Sequence, residues 1–358
     1  MTGLLAIVAS ESAKVLPGIP AAVPMAVPLA LVAGAHAATW GAYKDAPYEG
    51  FHPLRQVRTL LLACLAAITA VMTGLVDPHG LVPAVGVVYT LERLATEWWK
   101  TIVRVDDQSA YTIPMRLGFR GHPIDVTWIR YAVGVLVLAG MAGLGVGVHL
   151  AQIVAAHSGT GLPWWLLVVT VGGLGGWATA VGGAWKDAPV EGFSFWKFLR
   201  SPFVAMAWAV PLSLMTSDWL TLCLAAGGLA VFSIETYKTF WTGGHPPGKF
   251  ANQRRVFELV GVRRTLGRVH AGTWVSLALA SLWEALATTS GPRSISGRWG
   301  PDGALTGVVS ATFVAVAAVV AAIFVLRSSA WLTSTSNGRQ VIADPLPVDP
   351  ASRVHAAR

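Results

Sequence analysis

Apolar blocks of about 20 residues, each free of charge between its ends, recur along the whole chain, and that is the length of helix needed to cross the hydrocarbon core of a bilayer. A window of about 19 residues places nine candidate spans, at roughly 21–43, 57–76, 81–103, 126–155, 163–185, 199–216, 219–240, 266–288 and 304–326. Composition agrees: 54% of the 358 residues are apolar and 12% charged, whereas a soluble domain carries about 25% charge. A water-soluble globule is excluded, and the expected class is an all-α polytopic membrane protein.

The net charge of +8 then reads as a topology signal. With nine alternating spans, 22 of the 26 Lys and Arg fall on one face, in the loops near 44–58, 104–125, 186–198 and 241–265 with their flanks and in the C-terminal tail. Lys14, Arg293 and Arg298 fall on the other, and Arg93 lies inside a span. The positive-inside rule makes the basic face cytoplasmic, with the N-terminus outside and the C-terminus inside. The destination expected is the cell membrane. No soluble basic domain remains to bind nucleic acid. Four prolines interrupt the first apolar run and Lys14 is its only base, so no cleaved signal peptide is expected. Cys64 and Cys223 lie within apolar blocks without metal-binding spacing and read as structural thiols.

The chain also repeats itself. Trp40-Gly-Ala-Tyr-Lys44-Asp45-Ala-Pro47-Tyr-Glu49-Gly50-Phe51 matches Gly182-Gly-Ala-Trp-Lys186-Asp187-Ala-Pro189-Val-Glu191-Gly192-Phe193 at an offset of 142. Glu97-Trp-Trp-Lys100-Thr101 matches Glu235-Thr-Tyr-Lys238-Thr239 at an offset of 138. Four spans separate the copies, so both return to one face and the repeats are parallel. The organisation expected is an extracytoplasmic segment 1–20, repeat A at 21–156, repeat B at 157–290, an outer loop with an appended ninth helix at 291–332, and a disordered cytoplasmic tail at 333–358.

Each motif has a plain structural reading. A helix leaving the membrane ends well on Lys, Asp, Pro and Gly, and Glu97-x-x-Lys100 and Glu235-x-x-Lys238 are i, i+3 pairs at an interface. The functional reading is that both motifs gather at one cytoplasmic mouth. Asp45, Glu49, Asp187 and Glu191 would then be catalytic and hold Mg²⁺, an ion bound by one or two carboxylates plus substrate phosphate. Lys44, Lys186, Lys100 and Lys238 would bind the phosphate, supported by Glu97 and Glu235. Within spans, Glu92, Arg93 and Glu284 need partners or water. Haem would require two histidines at one depth, for which His36 and His270 are the pair on offer, and it is not expected. The clustered tryptophans at span ends read as an interfacial belt.

Ionisable groups gather on the cytoplasmic third and leave the outer halves of the spans apolar. That one-sided pattern suits an enzyme, a transferase or hydrolase, acting on an isoprenoid or lipid phosphate or diphosphate: a membrane lipid or other amphiphilic anion. The alternatives are a transporter or flippase of such an anion, and a non-catalytic subunit of a larger membrane complex. In architecture the chain resembles the intramembrane prenyltransferases of the UbiA family, which implies a diphosphate substrate. That family's Asn-Asp-x-x-Asp-x-x-x-Asp motif follows its second and sixth helices. Here Asp45-x-x-x-Glu49 and Asp187-x-x-x-Glu191 follow the first and fifth spans.

Overall fold

The computed structural model describes residues 22–76, 80–105, 107–159, 162–242, 248–251, 253–290 and 303–336. Almost all of the described secondary structure is helical. The long helices are α1 (Ala22–Glu49), α2 (Pro53–Met72), α3 (Leu81–Trp98, prolonged by a π-helical turn Trp99–Val103) and α4 (Thr127–Ser158). They continue with α5 (Trp164–Glu191, through a π turn at Val168–Gly172), α6 (Phe195–Leu212) and α7 (Trp219–Thr236, prolonged by the π turn Tyr237–Trp241). Last come α8 (Val260–Ser290) and α9 (Gly303–Ser336). A two-stranded hairpin, Gly118–Phe119 with His122–Pro123, sits in the loop before α4. Among the described residues, five helices are long and apolar enough to cross a bilayer: α2, α4, α5, α7 and the Val308–Ser329 part of α9. The chain thus has the helices expected of a multi-pass membrane protein.

Two three-helix clusters, α1–α2–α3 and α5–α6–α7, stand back to back, with α3 against α7 at the centre. Small residues set this crossing. A methyl group on Gly86 would lie 2.7 Å from the carbonyl oxygen of Ala225, and one on Gly228 would meet the carbonyl of Gly86. Thr90 Oγ1 reinforces the contact by donating to the Leu224 carbonyl at 2.7 Å. Within the clusters the same device recurs, with Gly34 of α1 against Ala63 of α2 and Gly176 of α5 against Ala205 of α6. Backbones that approach this closely gain dispersion contacts, the main attraction available between helices whose outer surfaces are as apolar as lipid. Helix α8 packs along α1 and α9, whereas α4 meets chiefly α7 and the turn after α3. Only 11% of the apolar stretch of α4 is buried, and side chains such as Leu136 and Val146 point outward. In water such a helix would invite aggregation, while in a bilayer it simply faces acyl chains.

Several charged and polar groups inside the bundle find partners there. Glu92, fully buried, accepts from Thr96 and faces Arg93, and Glu284 accepts from the backbone N–H of Val82 at 2.7 Å. His36 and His270 come together with ring centroids 4.2 Å apart. All four of their ring nitrogens face hydroxyls, those of Tyr89 and Thr236 for His36 and of Thr39 and Thr236 for His270. The pair therefore pins α1, α3, α7 and α8 to one another through a closed polar network.

Helix ends depart from the sequence expectation in one instructive way. Pro47 and Pro189 do not stop α1 and α5; both are accommodated inside the last turn. The helices end two residues later, at Glu49 and Glu191, and are followed by Gly50 and Gly192, each with φ of +83°, a conformation open to glycine and strained for other residues. At the far end α9 runs on to Ser336, past the expected boundary at 333, and the remainder of the expected tail lies outside the described residues. So does the segment 1–20.

Candidate functional site

Helix α1 delivers Asp45 and Glu49 on one face of its final turns, and the Gly50 turn brings the start of α2 back beside them. There Arg55 pairs with Glu49, and Arg58 follows one turn later. Helix α3 contributes Arg93 and Lys100, and its π turn hands the chain on to Arg104. These side chains line a cavity of about 100 Å³, hereafter cup A. Its lid comes from far along the chain, where Lys249 in the turn Gly248–Phe250 places Nζ 2.9 Å from Asp45 Oδ2 and 2.8 Å from Glu49 Oε1. Lys249 is held over the rings of Phe250 and Tyr111, and its carbonyl accepts from the Thr112 N–H at 2.9 Å. The two loops after α3 and α7 thus close on each other beneath the cup.

A second cavity, cup B, of about 150 Å³, repeats this plan in the other cluster. Asp187 at the end of α5, Lys197 and Arg200 at the start of α6, and Glu235 and Lys238 on α7 line it. Lys197 pairs with Glu191 and lies 3.6 Å from Asp187, as Arg55 pairs with Glu49 in cup A. Lys100 and Lys238 match as quoted above, and the correspondence extends beyond those motifs: Arg55 matches Lys197 and Arg58 matches Arg200 at the offset of 142. Even the π turns at Trp99–Val103 and Tyr237–Trp241 correspond. One position differs sharply, since Arg93 of cup A is replaced by Val231 in cup B.

The expected single mouth is therefore resolved into two cups, one per cluster. Asp45, Glu49 and Lys100 line cup A; Asp187, Glu235 and Lys238 line cup B, with Glu191 on its rim through Lys197. Glu97 serves Arg93 and lies 3.1 Å from Lys100, and Glu235 lies 2.9 Å from Lys238, the i, i+3 pairs expected. Lys44 leaves its own cup and reaches Glu235 of the other cluster at 3.7 Å. Lys186 rests its ammonium on Met115 Sδ at 3.6 Å. Sequence reasoning assigned no site role to Arg55, Arg58, Arg93, Arg104, Lys249, Lys197 or Arg200. Following the 142-residue comparison eight residues further would have found four of them, Arg55, Arg58, Lys197 and Arg200. Arg93 and Lys249 carry no repeat signal.

Charge is strongly unequal between the cups. Six cations against two carboxylates line cup A, and three against two line cup B. Burial pushes Asp45 and Glu49 toward the neutral form, but Lys249, joined by Lys44 and Lys100 at Asp45 and by Arg55 at Glu49, outweighs it and holds both below the usual carboxylate range. Burial likewise opposes the charge on Lys249, and Asp45 and Glu49 outweigh it and raise its pKa. Lowered carboxylate pKa values contribute stability that is complete above the unfolded value of about 4 and is lost as pH falls through the folded one. The raised lysine contributes stability that persists up to about pH 10 and is lost above that. Thermal unfolding measured in detergent should thus be flat from about pH 5 to pH 10 with respect to this cluster and fall on the acid side, and Lys249→Met should flatten the acid limb.

Among the described residues, no three His, Cys, Asp or Glu side chains converge as a metal site. One oxygen at cup A is left unsatisfied: Asp45 Oδ1 is buried without a hydrogen-bond partner. Comparison of the chain with protein families, with curated proteins and with solved structures gave no match.

Proposed function

We propose that the chain is a nine-span protein of the cell membrane, built from two parallel four-helix repeats and a ninth helix, whose cup A binds the phosphate or diphosphate head of an isoprenoid or other lipid and acts on it chemically. The repeat reading is supported by the matched pairs Gly34–Ala63 and Gly176–Ala205, Gly50 and Gly192, and Arg58 and Arg200. Orientation rests on the basic loops, which put both cups on the cytoplasmic side with the N-terminus outside.

The observation that carries the function is the six-to-two excess of cations around a cavity of about 100 Å³. At about 30 Å³ per water molecule, this space suits a phosphoryl group. Arg55, Arg58 and Arg104 offer planar forks that match phosphate oxygens, and Lys100 and Lys249 add point charges. Mg²⁺ enters this reading with the substrate: Asp45 Oδ1 and Glu49 would supply one or two carboxylates, the phosphate and water the other ligands, and the ion would neutralise charge on the leaving group. Asp187, expected at the same mouth, lines the second cup, and Glu191 lies on that cup's rim through Lys197.

The test is binding of a polyprenyl diphosphate to the purified protein, read by native mass spectrometry. Each charge-assisted hydrogen bond contributes about 1.5–3 kcal/mol, so Arg58→Gln with Arg104→Gln should weaken binding by roughly a hundredfold or more. Undiminished binding would overturn the assignment. A second reading, a flippase, is favoured by the Lys44–Glu235 ion pair joining the two clusters, which could break as they rock. Reconstitution in vesicles separates the two: chemical conversion of the lipid supports the enzyme, and translocation without conversion supports the flippase.

A further inference from the structure

Cup B lacks most of the positive excess of cup A, yet it keeps a cavity of about 150 Å³. Its cations are accounted for with one exception. Lys197 lies between Asp187 and Glu191, and Lys238 lies against Glu235. Arg200 has no acidic side chain within ion-pair distance among the described residues, and its Nε is buried without a hydrogen-bond partner. A buried guanidinium nitrogen left unsatisfied is costly and calls for an acceptor. The equivalents of the further cations in cup A are missing: Val231 stands where Arg93 stands, and among the described residues no counterpart of Arg104 or Lys249 lines the cavity. With Lys44, which reaches Glu235 from the other cluster, four cations face the three carboxylates Asp187, Glu191 and Glu235, and this excess of one matches one negative charge on a ligand.

The surroundings say what kind of molecule brings that charge. Phe193 lines the cup and is 62% exposed, and Trp196, at 76%, and Phe195 project beside it. Aromatic rings so placed favour the headgroup level of a bilayer. Beyond them α5 and α6 expose Val181, Trp177 and Phe203, an apolar surface along which acyl chains can lie.

We propose that cup B is a second lipid site, distinct from cup A, in which Arg200 holds the single phosphodiester of a bilayer phospholipid whose chains lie on the outer faces of α5 and α6. The site does not depend on the reading of cup A, because none of its residues lines the other cavity.

The experiment titrates the full-length protein, in a neutral maltoside detergent, with phosphatidylglycerol and counts bound lipids by native mass spectrometry. Arg200→Gln should weaken one bound lipid by about tenfold or more, the cost expected for a charged hydrogen bond. Arg200→Lys, which keeps the charge, should retain most of the binding, separating loss of the ligand from damage to the fold. The same loss should appear in the Arg58→Gln, Arg104→Gln background. Loss of phosphatidylglycerol with Arg200→Gln, together with polyprenyl diphosphate binding undiminished by the cup A substitutions, would sink the cup A reading and leave this one standing. Equal lipid binding in wild type, Arg200→Gln and Arg200→Lys overturns the proposal. Displacement of the lipid by millimolar inorganic phosphate also overturns it, since the site would then take a free anion.

Discussion

Gly228→Leu is expected to abolish recovery of folded protein. Position 228 lies where α7 crosses α3, and a side chain there would drive into the Gly86 carbonyl and the Thr90 hydroxyl. Helix α7 cannot retreat, because its opposite side is equally close to α5, with Gly227 against Gly175. Ala225, Ala226 and Leu229 around the crossing are fully buried, so no space exists into which a leucine could turn. Adding even one methylene to a packed interior typically costs about 1–3 kcal/mol, and four carbons against backbone on two sides should exceed that several-fold. Native stabilities are only about 5–15 kcal/mol. Size-exclusion chromatography in detergent should show the loss of the monodisperse peak. Gly182→Leu is the control: nothing lies within 4 Å of that position, and the variant should elute as wild type does.

Lys249→Met should destabilise the protein by about 3 kcal/mol, the low end of what breaking a buried ion pair costs, since the partners keep some solvent contact. The side chains of Lys249, Asp45 and Glu49 are 16%, 25% and 15% exposed, and one ammonium serves both carboxylates. Methionine fills similar volume, so the loss is electrostatic. Glu49 retains Arg55, which leaves Asp45 as the group most harmed. Asp45→Asn should therefore restore part of the stability in the double variant, because a neutral amide needs no counter-ion. Thermal unfolding of the four proteins in a double-mutant cycle measures the coupling directly, and additive effects would show that the pair does not interact energetically. The same substitution removes a cation from cup A, so binding of a polyprenyl diphosphate should weaken with it.

Much of this was legible from apolar length and internal similarity. The blocks at 57–76 and 219–240 largely coincide with Pro53–Met72 and Trp219–Trp241, since an uncharged run of that length has few ways to satisfy its backbone except as a helix. The i, i+3 ion pairs were legible too, because they depend only on helical spacing. The end of α1 was not: Pro47 reads as a stop, but a proline in a final turn removes a single hydrogen bond, and the left-handed turn at Gly50 governs.

Local spacing alone determined that the chain is helical, apolar enough for a membrane, and doubled around Lys-Asp-Ala-Pro-x-Glu-Gly-Phe. Only the tertiary structure decided which charges meet from different elements. Lys249 stands 200 residues from Glu49, yet it closes that carboxylate's cup. Lys44 pairs across to Glu235, and the two acidic motifs separate into two cavities. Periodicity reports the face a side chain occupies on its own helix. Which charge stands opposite it is set by how closely Gly86 and Gly228 let α3 and α7 approach, and backbone contact of that kind leaves no mark in the spacing of residues.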